Sequence, residues 1–148
     1  MKTREMITQE ITQTQHMLVE HYAMLLSGAL YEDYKSRTIE AHNHSIAMCG
    51  ADITYHANKI AEIHNEGADV EFYLDSSPRK YFRLVMRYLT GSKQRSVHAF
   101  IDKATGDVYK PASWKAPAKH IRYNLLDDKS RESCYSKCDW AGSYLYLR

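Results

Sequence analysis

Cysteine, proline and glycine are all scarce in this 148-residue chain, at three, three and six residues. An odd handful of thiols (Cys49, Cys134, Cys138) does not make the even framework of a small secreted disulfide protein, so reduced cysteines are expected. No linker, low-complexity tract or internal repeat is present, which excludes fibrous and disordered classes. No run approaches the roughly 18 consecutive apolar residues of a membrane helix. The first residues, Met1 to Glu5, carry charges and lead into a polar Thr/Gln segment where a signal sequence would place its apolar core. A soluble, intracellular protein without membrane contact is expected.

Signatures of catalysis are missing too. There is no Walker loop, G-x-G-x-x-G turn, G-x-S-x-G elbow or paired-carboxylate motif. His98 and His120, with Ser96, Ser113 and nearby lysines, could be assembled into a phosphodiesterase-like pocket, but no spacing demands it. A non-enzymatic protein without cofactor is expected. Metal binding is equally weak. His16 and His21 diverge on a helix, and a single helix puts His42 and His56 about four turns apart. Cys134 and Cys138 share a helix face with only His98 or His120 available to complete a shell.

What the chain does have is segregated charge. Residues 1–78 hold five Lys/Arg against twelve Asp/Glu, a net of −7; residues 79–148 hold fifteen against six, a net of +9. The overall +2 hides a polarised molecule whose second half attracts phosphate. Seven of the twelve tyrosines also fall in that half.

The hydrophobic period divides the chain at the same region. Ile7, Ile11, Leu18, Tyr22, Leu25, Leu26 and Ala29 draw a helical stripe from about Thr8 to Tyr31. Glu32–Ser36 is a polar, turn-like stretch, and a second stripe of Ile39, Ile46, Cys49, Ile53, Ala57, Ile60 and Ile63 stops at Gly67. Beyond Gly67 the period becomes two. Strands are expected at Val70–Asp75, Tyr81–Leu89, Ser96–Asp102 and Asp107–Lys110, with a hairpin turn at Thr105-Gly106. Pro111 and Pro117 break the next stretch. Asp127 or Asp128 caps a short helix to about Cys138, and Gly142 precedes a final strand ending at Arg148. The fold expected is α+β: an N-terminal antiparallel helical hairpin (residues 1–67), then a three- to four-stranded antiparallel β-meander with a short C-terminal helix (residues 68–148), packed as one compact unit. Two helices cannot cover both stripes, so self-association through the helices is expected as well.

Within the basic half, Arg79 to Arg122 holds eleven Lys/Arg and two acids. Strand alternation puts Arg83 and Arg87 on one sheet face with Tyr81. Lys93, Arg95, Lys110, Lys115, Lys119 and Arg122 add further cations, and Trp114 adds a ring. Cations that neutralise phosphates, with rings on which bases stack, are what nucleic-acid or nucleotide binding requires.

The run from Arg95 through Ser113-Trp114-Lys115-Ala116-Pro117-Ala118-Lys119 to Leu125, and the ending Asp139-Trp-Ala-Gly-Ser-Tyr-Leu-Tyr-Leu-Arg148, resemble small uncharacterised tailed-bacteriophage proteins over about residues 80–148. The resemblance implies a viral protein acting in the host cytoplasm and supplies no catalytic residues. The sequence thus points to a phage accessory protein that binds nucleic acid through a basic, aromatic β face. The alternative is a counter-defence protein that sequesters a nucleotide signal or blocks a host protein.

Overall fold

In the computed structural model, which describes residues 1–49 and 52–147, Arg4–Cys49 form one unbroken helix, α1. It passes straight through Glu32–Ser36, where the sequence pattern places a turn. That stretch contains no glycine or proline, and its side chains hold it in the helix. Arg37 Nε donates to Asp33 one turn earlier at 3.1 Å, and the Trp140 N–H donates to the same carboxylate at 2.9 Å. Tyr34 packs edge-on against Tyr88 and Trp140. The chain reverses later, near Asp52, whose φ of 54° is left-handed. Helix α2 (Ile53–Glu66) then returns along α1 to Gly67, at φ 91°.

The hairpin therefore has unequal arms of 46 and 14 residues. Its displaced turn corrects the histidine geometry. His42 and His56 lie on opposite arms, and their Nδ1 atoms meet at 2.9 Å. The Cys49 side chain, assigned to the second stripe, and Arg148, assigned to a final strand, lie outside the described residues.

Five strands follow: β1 (Val70–Asp75), β2 (Tyr81–Tyr88), β3 (Arg95–Asp102), β4 (Asp107–Tyr109) and β5 (Tyr123–Asn124). Each pairs antiparallel with the next, in chain order. The period-two pattern locates the first four to within a residue at each end, whereas β5 is two residues long and gives no such signal. Gly106 closes the β3–β4 turn at φ 77°, where the Asp102 side chain accepts from the amides of Ala104 and Thr105.

One irregularity matters later. Leu84 pairs with Ala99 but Val85 pairs with Val97, so His98 is the extra residue of a bulge. His98 turns inward with Ala99 and packs on Phe72 and Tyr144. Helix α3 (Asp128–Lys137) begins at Asp127, which accepts from Ser130 N at 2.8 Å. The strand expected after Gly142 is instead a 3₁₀ turn, Ser143–Leu145. Gly142 is left-handed at φ 85°, and Asp139 accepts from Ser143 N, which coils the backbone and drops Leu145 into the core.

Val19, Ala23, Leu26 and Leu30 of α1 are fully buried against Phe82, Leu84, Ala99, Ile101, Val108 and Leu125, with Cys134 and Leu145 closing the cluster. The side of α1 so used is not the one the stripe indicates. Leu26 is buried as expected, but Ile7, Ile11, Leu18 and Leu25 remain 40–55% exposed. Apolar residues surround this helix, and periodicity alone does not select which face meets the sheet. In α2 only Ile63 is buried. Among the described residues, no helix is long and apolar enough to cross a membrane.

Candidate nucleic-acid interface

The sheet has two different faces. Helix α1 covers the one bearing Phe82, Leu84 and Ile101. The other carries Arg83, Val85 and Arg87 from β2, opposite Phe100, Val97 and Arg95 of β3. Val85 and Phe100 are fully buried there, although neither belongs to the α1 cluster. The acidic helices therefore leave the basic face uncovered.

The lid over that second face is the segment 110–118, folded into a small closed loop. Ala118 N donates to Lys110 O at 2.7 Å, Pro111 and Pro117 form a bridge, and the amides of Ala112 and Ser113 both donate to Ala116 O. Arg83 fastens the loop to the sheet. Its Nε donates to Trp114 O at 2.7 Å and its Nη1 to Asp75 Oδ2 at 2.6 Å, while the guanidinium lies 4.7 Å from the Trp114 ring centroid. Hydrogen bonds from Ser77, reinforced by Arg83, hold the Asp75 carboxyl below its ordinary range.

The structure separates the expected phosphate-binding residues into two sets. Several are committed to the fold. Arg83 is buried. Arg122 donates to the carbonyls of Leu145, Lys119 and His120. Tyr81 packs edge-on against Phe100 and Tyr109. Lys110 falls between the two sets, half-buried with its ammonium 4.8 Å over the exposed Tyr146 ring. The others face solvent. Lys93, Arg95, Lys115 and Lys119 are all exposed, as is the rim of Trp114 at 37%. Arg95 sits 5.0 Å from the Trp114 centroid, so this ring already carries two guanidiniums and is not an empty stacking platform.

Arg87 occupies an intermediate position. It pairs with Glu71 across the strands and lies over Tyr73, but its Nε is buried without an acceptor. Its direct cross-strand neighbour is Arg95. Glu71 answers the Arg87 charge, whereas Arg95 opposite it keeps an exposed guanidinium on the Trp114 ring.

Sequence reasoning did not identify Glu71 and Asp75 as the partners of Arg87 and Arg83. The signal was available: once β1 and β2 are paired about Ser76–Lys80, register places Glu71 opposite Arg87 and Asp75 opposite Arg83. It also missed Trp140, which joins α1 to the end of the chain.

Cys134 and Cys138 sit in environments that disfavour the thiolate. Burial pushes Cys134 up to about 12 and Cys138 up to about 11. Among the described residues, no group of three or more His, Cys, Asp or Glu side chains is placed to hold a metal.

The model of a family of unknown function (DUF7717) matches residues 4–147, covering both the helical and the sheet halves. No curated protein and no solved structure matches the chain.

Proposed function

The chain belongs to this family of unknown function, and we propose that it binds nucleic acid, without catalysis, on the sheet face opposite α1. The observation that carries the reading is the exposed Arg95 guanidinium, seated on the Trp114 ring at the start of β3. Lys93 lies two residues before Arg95, Lys115 directly follows Trp114, and Lys119 follows the loop. Phosphates neutralise these cations, and a base stacks on the exposed guanidinium of Arg95, whose plane is set by Trp114. The loop backbone is already fixed, so binding orders only the lysine side chains it carries.

The resemblance of residues 80–148 to small tailed-bacteriophage proteins supports placing this binding in the host cytoplasm during infection. Fluorescence anisotropy of a labelled single-stranded oligonucleotide, titrated at several salt concentrations, tests it. Affinity falls steeply with salt, and Arg95→Ala and Lys115→Ala each lower the log–log slope by about 0.7. Binding that is salt-independent, or absent at about 50 mM salt, overturns it.

The same reading includes self-association through α1. Residues 4–18 are exposed apart from half-buried His16. On the side away from the core, Ile11, Leu18 and Leu25 recur at seven-residue intervals, and so do Met17 and Met24, each at least 40% exposed. Seven-residue spacing is the repeat by which two equivalent helices cover each other, so the occupant is a second copy of this chain. With Met6 and Ile7 these side chains offer an area on the order of 800 Å² per partner, as a stable dimer needs. Light scattering of the wild type gives a dimer mass, and Leu18→Lys with Leu25→Lys gives a monomer of unchanged helicity. A monomeric wild type overturns it.

A further inference from the structure

At the ends of β2 and β3 lies a cavity of about 340 Å³, within the size range of small-molecule sites, that the interface above leaves unused. Its chemistry is mixed in a specific way. Tyr88, Trp140 and Tyr146 supply ring surface, with Tyr146 60% exposed. Lys110 brings an ammonium over the Tyr146 ring, and Ser96 lines the wall with an exposed hydroxyl. The inward-turned His98 closes the floor; its burial pushes its pKa down to about 4, so it is uncharged at neutral pH and the local charge belongs to Lys110.

Position adds to composition. Ser96, Val97 and Pro111 line both this cavity and the shallower depression that holds Arg95 and Trp114. The two are contiguous, one rich in ring surface and the other in guanidinium. A ligand matching both has a planar aromatic part and an anionic part joined by a short spacer.

We propose that the cavity receives one nucleoside phosphate unit, its base against Tyr88, Trp140 and Tyr146 and its phosphate between Lys110 and Arg95. This deepens the nucleic-acid reading and rests on it for the strand that continues over Arg95. The unit comes either as a free mononucleotide or as one nucleotide of a bound strand.

The two tryptophans allow a test, because one lies in each depression. In Trp114→Phe the emission comes from Trp140 alone, and in Trp140→Phe from Trp114 alone. Trp114→Phe is titrated with AMP and dTMP, and both variants with a fifteen-residue oligothymidylate. The expected result is saturable quenching of Trp140 by a mononucleotide, weakened at least tenfold by Lys110→Ala and abolished by Ser96→Tyr, which fills the mouth. Ser96 is exposed and Lys110 half-buried, and unchanged circular dichroism verifies the fold of both variants.

If the oligonucleotide quenches Trp140 and mononucleotides do not, the source is a strand. If mononucleotides do so in both the presence and absence of the strand, the source is a free nucleotide. Should the oligonucleotide quench Trp114 while no probe at millimolar concentration moves Trp140, the cavity proposal falls and strand binding over Arg95 and the loop stands. No response of either ring to any probe ends both.

Discussion

The Tyr144 hydroxyl donates to His98 Nε2 at 2.8 Å, with the two rings stacked at an interplanar angle of 28°. The direction follows from the other side of the ring, where His98 is hydrogen-bonded to the backbone of Trp140. A neutral imidazole has one N–H, and the carbonyl takes it, so Nε2 is the acceptor. The phenol is therefore needed in its protonated form, and burial raises the Tyr144 pKa well above its ordinary value. Tyr144→Phe leaves His98 Nε2 buried without a donor. Urea unfolding of this variant shows a loss of about 1–3 kcal/mol.

His98 also sets a pH dependence. Burial lowers its folded-state pKa to about 4 from an ordinary 6.5, so the unfolded chain binds the proton first as pH falls. Stability contributed by neutral His98 is present above pH 6.5 and is lost progressively between 6.5 and about 4, by about 3 kcal/mol in total. His42 acts with the same sign, its pKa lowered by burial, then by His56 and Lys59. Urea midpoints measured between pH 7.5 and 4.5 decline, and equal midpoints across that span contradict the assignment.

Half-buried Asp75 pairs with buried Arg83, which fastens the loop. Removing one partner leaves the other uncompensated, and Arg83→Met also strips Trp114 O of its donor. Asp75→Asn, which leaves buried Arg83 uncompensated, costs about 3 kcal/mol; Arg83→Met, which leaves a half-exposed carboxylate, costs about 1–2 kcal/mol. Arg83→Met shifts Trp114 emission to the red as the loop loosens, measured against Trp140→Phe as background.

The continuous helix is tested at Lys35. Were Glu32–Ser36 a turn, proline there would be tolerated. Inside α1, Lys35→Pro removes a helical hydrogen bond and clashes with Tyr31 O, costing about 3 kcal/mol. Circular dichroism and thermal unfolding report it.

These residues also show where the sequence is readable. The strands were legible because alternation is a local property: Val70, Phe72 and Leu74 face one way whatever packs on them. The helix break was not, because Glu32–Ser36 looks like a turn in isolation and is held helical by Trp140, more than a hundred residues away. The buried side of α1 was misread for a related reason. Ile7 and Ile11 precede the point at which the helix meets the sheet, and only tertiary contact tells them from Val19 and Ala23. The basic face was legible as composition, but not as geometry. That Arg83 is a fastener and Arg95 an exposed cation depends on a loop whose closure at Pro111 and Pro117 leaves no periodic trace.

The strand order has a kinetic corollary. Every sheet pairing joins consecutive segments, so the meander assembles from local contacts and closes quickly. The seat of α1 is different: Tyr135 Oη donates to Tyr22 O across 113 residues, and Trp140 N to Asp33 across 107. During translation α1 emerges before the sheet it packs on, and its contacts with Tyr135 and Trp140 form only once residues 134–145 have left the exit tunnel. A helix made before the sheet is thus fully seated only after it, and in that interval a chaperone has an apolar rod to grip.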